Sequence, residues 1–121
     1  MTVIKYNKLV RDKIPGISAS KGIISKTHVA GDEEYWRELR KKLREEAAEF
    51  EKEESAKELG DVLEVIYSIA AFKGWKLDYV EELRKKKREE RGGFEGRIIL
   101  EENRVTEPVS DKFAEELRMK K

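Results

Sequence analysis

Two pairs of acids, each set three residues apart, carry the clearest chemistry in this chain. They are Glu46 with Glu49 and Glu58 with Asp61, all inside KLREEAAEFEKEESAKELGDVLEVIYSIAA, residues 42–71. A three-residue step puts both side chains on one strip of a helix, about a turn apart. Glu46 falls between Leu43 and Phe50, where the helical repeat asks for an apolar side chain, and Glu49 sits at the edge of that face. Glu58 and Asp61 share their strip with Val62, Val65 and Ile69. Only eight residues separate Glu49 from Glu58, so a tight helical hairpin would make the four carboxylates converge. Burying unpaired carboxylates is costly, and neighbouring ones raise each other's pKa, so a cation is expected among them. With no Cys and a single His in the chain, the ligands are hard oxygens, which suit Mg²⁺ or Mn²⁺ and not zinc. Magnesium held by carboxylates keeps positions open for water and phosphate oxygens, which points to phosphoanhydride chemistry.

Structural roles compete for the same residues. Glu46 with Lys42, and Asp61 with Lys57, have the spacing of helical ion pairs. Ser55-Ala56-Lys57-Glu58 fits the S-x-x-E capping box, in which Glu58 would close a helix start. Whether Glu58 serves metal or cap stays open at this level. Glu51, Glu53 and Glu54 read as connection and solvated surface, and His28 as structural.

The elements that must position these acids are helices. GDEEYWRELRKKLREEAAEFEKE opens one, with Asp32 expected as N-cap and Trp36, Leu39, Leu43 and Phe50 as its apolar stripe. A second is expected from about Ser55 to Phe72, apolar on most sides and ended by Gly74. A third, KLDYVEELRKKKREER, carries Leu77, Val80 and Leu83 on one side and stops at Gly92-Gly93. YNKLVRDKIPGI suggests a short helix or turn, with Pro15-Gly16 as a helix-unfriendly pair, and SDKFAEELRMKK a terminal helix. GIISKTHVA (22–30) and RIIL (97–100) are short and β-branched, leaving room for a small two-stranded ribbon. The expected fold is mainly α: a helical bundle whose antiparallel hairpin carries the site, with the third helix packed on it.

The 121 residues read as a single domain, 1–121. With 38% hydrophobic and 44% charged residues, one copy builds a thin core, so a homo-oligomer, dimer or tetramer, is the default expectation. A formal net charge of +1 argues against nucleic acid as a partner on global charge. No apolar run reaches the ~18 residues of a membrane span, and MTVIKYNKLVRDKIP lacks the apolar run of a signal peptide, so the expectation is cytoplasmic with no membrane partner.

Beyond the spacing, Glu45-Glu46-Ala47-Ala48-Glu49 followed by Glu58-Leu59-Gly60-Asp61 resembles the EExxE…ExxD signature of the all-α nucleoside triphosphate pyrophosphohydrolases, the MazG-like superfamily. YNKLVRDKIP and KKREERGGF are similar to the small branch described as phosphoribosyl-ATP pyrophosphohydrolase-like. The gap between the two acidic halves is shorter than is usual in MazG itself. The resemblance implies Mg²⁺-dependent cleavage between the α and β phosphates, giving a nucleoside monophosphate and pyrophosphate. It further implies Glu46, Glu49, Glu58 and Asp61 as metal ligands, with Glu46 and Glu49 catalytic. Lys8, Arg11, Lys87 and Arg91, from the two basic blocks, would then meet the charge of the nucleotide. Noncanonical or damaged nucleotides, canonical deoxynucleoside triphosphates and phosphoribosyl-ATP are all compatible substrates. The alternative from another class is a non-catalytic helical module in which RKKKREER binds nucleic acid or an acidic partner.

Overall fold

A computed structural model of the chain describes residues 2–105. They fall in two compact units, divided between Arg84 and Lys85. Four helices follow in order: α1 (Ile14–Ser20), α2 (Asp32–Lys52), α3 (Ala56–Lys73) and α4 (Leu77–Arg91). The fold is mainly α, and no described helix is long and apolar enough to cross a membrane.

Helix α2 begins one residue earlier than its sequence suggests. Gly31 is the N-cap and Asp32 is already helical, so no side chain closes this end. Asp32, Glu33 and Glu34 instead place three carboxylates in the first turn, where they favour the positive end of the helix dipole. Leu39 is 1% exposed, while Trp36, Leu43 and Phe50 of the same stripe are half-buried. After the short connection 53–55, Ser55 caps α3 by accepting a hydrogen bond from the Glu58 N–H at 3.2 Å. At the other end, Gly74 adopts φ 72° while its N–H reaches the Ala71 carbonyl and that of Trp75 reaches Ala70. This is the paired C-terminal closure that a left-handed glycine makes available.

Helices α2 and α3 are the pair that packs extensively. Tyr35 and Trp36, early in α2, meet Phe72 at the end of α3, with ring centroids 5.2 and 5.9 Å apart. Glu46, further along α2, lies beside Glu58 and Asp61 at the start of α3. The two helices therefore run in opposite directions. Val65 and Ala70 complete the set of buried apolar residues, whereas Leu59, Leu63, Ile66 and Tyr67 leave an exposed stripe on the other side of α3.

Three expectations are revised. Pro15 and Gly16 do not break a helix; Pro15 stands in the first turn of α1, where its missing N–H is no loss. Leu77 and Leu83, expected to pack on the hairpin, remain 43% and 51% exposed. No strand forms among the described residues, and segments 22–30 and 97–100 are irregular. The side chains of Ile24 and Val29 in the first segment are 98% exposed, and two isolated strands with no apolar layer beneath them are marginal in water. The terminal helix read from SDKFAEELRMKK lies outside the described residues.

Candidate metal centre

Carboxylate oxygens of Glu46, Glu58 and Asp61 come within 4.8 Å of one another. The local reason is the pairing of helix ends: Glu46 projects from the buried side of α2 with its side chain 15% exposed, and the α3 acids project from the first two turns facing it. Glu58 is 8% exposed, the one buried charged residue among those described.

The role of Glu58 follows from its bonds. Ser55 Oγ accepts from the Glu58 N–H, but the Ser55 N–H goes to the Glu53 carbonyl at 2.9 Å. The capping box is thus made from one side only, and the Glu58 carboxylate is turned toward Lys57 at 3.3 Å and toward the other two acids. Glu49, by contrast, is outside this group; its side chain is 50% exposed and stands 3.9 Å from Lys52. Three of the four acids singled out in the sequence are brought together.

Each member of the trio has a cation beside it. Lys42 Nζ lies 3.6 Å from Glu46, Lys57 Nζ 3.7 Å from Asp61, and Arg11 Nη2 3.0 Å from Asp61 Oδ1. The hydrogen bond to Glu58, with the charges of Glu58 and Asp61 behind it, raises the Lys57 ammonium above its usual value. Arg11 also reaches Glu64 at 3.4 Å, and Lys8 bonds Glu45 at 2.9 Å. Lys8 and Arg11 of the N-terminal block therefore dock on acids of α2 and α3. Lys87 and Arg91 sit on exposed turns of α4, in the second unit, without an ion pair among the described residues.

The sequence reading did not anticipate a cavity of about 380 Å³ between Lys8-Leu9 and one side of α2. Lys41, Lys42 and Arg44 line it together with Glu38 and Glu45. Its cations belong to the same RKKLREE run as the acids, which was the available signal; the approach of residues 8–9 to it has no signature in local periodicity. Glu38 Oε2 is buried there without a hydrogen bond, and Lys41 Nζ approaches it at 3.2 Å as an ion pair. His28, read as structural from the sequence, places Nε2 3.0 Å from the Glu34 carboxylate.

The chemistry available here is that of an oxygen-only donor set flanked by cations, suited to a hard divalent ion and to phosphate. No protein-family model matches the chain, and neither a curated protein nor a solved structure matches it.

The Lys8–Glu45 tie has a defined pH range. Burial pushes the Glu45 carboxyl up, but the Lys8 hydrogen bond and the charges of Lys42 and Lys8 outweigh it and leave the pKa below its usual 4.5. The Glu45 hydrogen bond raises Lys8 above 10.5. A lowered acid stabilises the fold above its unfolded pKa and loses that contribution as pH falls through the folded value; a raised base contributes fully below its unfolded pKa and loses it as pH rises. Lys8→Met should accordingly move the Glu45 titration, read by carboxyl ¹³C shifts, upward. Its urea midpoint should differ from that of the unsubstituted protein at neutral pH and converge with it in acid.

Proposed function

We propose that this chain is a Mg²⁺-dependent nucleoside triphosphate pyrophosphohydrolase that cleaves the α–β phosphoanhydride to a nucleoside monophosphate and pyrophosphate. The observation that carries this reading is the convergence of Glu46, Glu58 and Asp61 from two helices, in a chain whose acidic blocks resemble the MazG-like signature. The trio passes a simple test of fit. Oxygens around an octahedral Mg²⁺ lie about 2.9–4.2 Å apart, so oxygens already within 4.8 Å of one another need only small side-chain rotations, and Mn²⁺ suits the same donors.

Glu46, Glu58 and Asp61 would hold the cation. When bound, the ion would lower the pKa of an attacking water and offset phosphate charge. Glu49, outside the trio and 3.9 Å from Lys52, would be a candidate to accept the water's proton, as would Glu46. Lys8 and Lys42, which line the cavity beside the acids, and Arg11 would meet the phosphates, with Arg donating two hydrogen bonds from one planar fork. Noncanonical nucleotides removed in a house-cleaning role are the favoured substrate class, with phosphoribosyl-ATP as the alternative within the same chemistry.

A second reading has one observation behind it. Lys85, Lys86 and Lys87 of the RKKKREER run are exposed without ion pairs among the described residues, as a helical module binding nucleic acid or an acidic partner would require. A panel of nucleotides incubated with Mg²⁺ separates the two. The enzyme reading expects monophosphate and pyrophosphate as products, and a loss of at least about a hundredfold in turnover for Glu46→Gln with the helical fold intact. No turnover on any nucleotide, together with tight, salt-sensitive nucleic-acid binding, would favour the module instead.

A homo-oligomer, with the α2–α3 hairpin as its repeated unit, completes the proposal. Its support is the shortage of core: among the described residues Leu39, Val65 and Ala70 are the buried apolar ones, against the exposed α3 stripe of Leu59, Leu63, Ile66 and Tyr67. An apolar helix uncovered on one side gains by packing against another copy. Light scattering should return a mass at least twice the 14.2 kDa of one chain; a monomer at micromolar concentration would contradict it.

A further inference from the structure

The segment ahead of α1 is held to the helices by charge. Among residues 2–13 every residue is exposed except the half-buried Leu9, so little apolar burial fixes this arm. Its long-range side-chain ties are Lys8 to Glu45 at 2.9 Å and Arg11 to Asp61 and Glu64 at 3.0 and 3.4 Å. Arg11 therefore occupies an oxygen of a residue that the proposed function gives to the metal. Asp61 Oδ2 is also engaged, by Lys57 at 3.7 Å, which leaves neither oxygen of Asp61 without a cation.

We propose that the N-terminal arm is an internal counter-ion clasp: Arg11 neutralises Asp61 when no divalent cation is bound, and cation binding releases the arm. The inference rests on the metal reading above and goes beyond it in giving Arg11 two alternating partners. A guanidinium and a divalent ion on one carboxylate oxygen repel each other at short range and compete for the same lone pairs. Because coupling between two binding events is reciprocal, the arm weakens cation binding by the factor by which the cation loosens the arm. Lys57 and Lys42 oppose the ion as well, but both stand on the helices that carry the acids and can swing away without moving a segment. Arg11 stands on the arm itself, so its loss from Asp61 removes one of the arm's ties to the helices and leaves Lys8 to Glu45. Once off Asp61, its planar fork would be available to phosphate oxygens, so the group that guards the metal-free site would serve as a phosphate ligand in the loaded one.

The test uses Mn²⁺ alone with the full chain, reading free Mn²⁺ by electron paramagnetic resonance for the unsubstituted protein, Arg11→Gln and Glu46→Gln. Arg11 is 55% exposed in its side chain, so its replacement leaves the helices intact, which circular dichroism checks. Arg11→Gln should bind Mn²⁺ about threefold tighter or more, as losing an exposed ion pair and a nearby positive charge allows. In the unsubstituted protein, Mn²⁺ should also speed tryptic cleavage between Lys8 and Lys13, with no such effect in Glu46→Gln. Equal or weaker Mn²⁺ binding by Arg11→Gln, or cleavage that Mn²⁺ leaves unchanged or slows, overturns the clasp while the metal site stands. If the unsubstituted protein binds Mn²⁺ no better than Glu46→Gln, the metal reading fails and the clasp fails with it.

Discussion

Like-charge repulsion governs this structure. Three carboxylates whose oxygens lie within 4.8 Å cost several kcal/mol if left alone, since a unit pair at about 4 Å is worth roughly 1 kcal/mol in water and about 4 at a protein surface. The chain meets the cost with Lys42 and Lys57 from the same helices and Arg11 from a distant segment. These internal cations differ in exposure: the side chains of Lys57 and Arg11 are 77% and 55% exposed, whereas that of Lys42 is 17% exposed. Such pairs are individually weak, and replaceable for that reason.

The rest of the first unit serves that arrangement. Closure by Gly74 at one end of α3 and by Ser55 at the other defines where α3 starts and stops. The aromatic contacts of Tyr35 and Trp36 with Phe72 set the register between α2 and α3 at the end remote from the acids. Lys73 lies 4.0 Å from the Trp36 ring centroid, adding a cation–π contact at the same place. The one-sided capping box is the detail that matters most for chemistry: Ser55 caps with its hydroxyl alone, so Glu58 keeps its carboxylate for the site.

Much of this was legible in the sequence, and the failures have physical causes. Glu46 among Leu43 and Phe50, and Glu58 with Asp61 on an apolar strip, are visible because helical period alone decides their facing. The Lys42–Glu46 and Lys57–Asp61 pairs follow from the same period. Glu49 shares the spacing of the other acids, but a three-residue step also rotates by about 60° and climbs about 4.5 Å, which takes it to the exposed side near the end of α2. Local spacing cannot say on which flank the partner helix lies. The docking of Arg11 and Lys8 was beyond reach for a different reason: 50 and 37 residues separate them from Asp61 and Glu45, and the irregular arm has no period from which to read a direction. The ribbon failed because β-branched composition describes what a pleated surface accepts and not whether one is present.

The account stands on a divalent ion sitting among three named acids. Crystals soaked in Mn²⁺ and measured for anomalous scattering test this most directly. The account predicts a peak between Glu46, Glu58 and Asp61, with carboxylate oxygens at about 2.0–2.2 Å and Arg11 turned away from Asp61. Density that leaves Arg11 on Asp61 and places Mn²⁺ elsewhere, or nowhere, would contradict it.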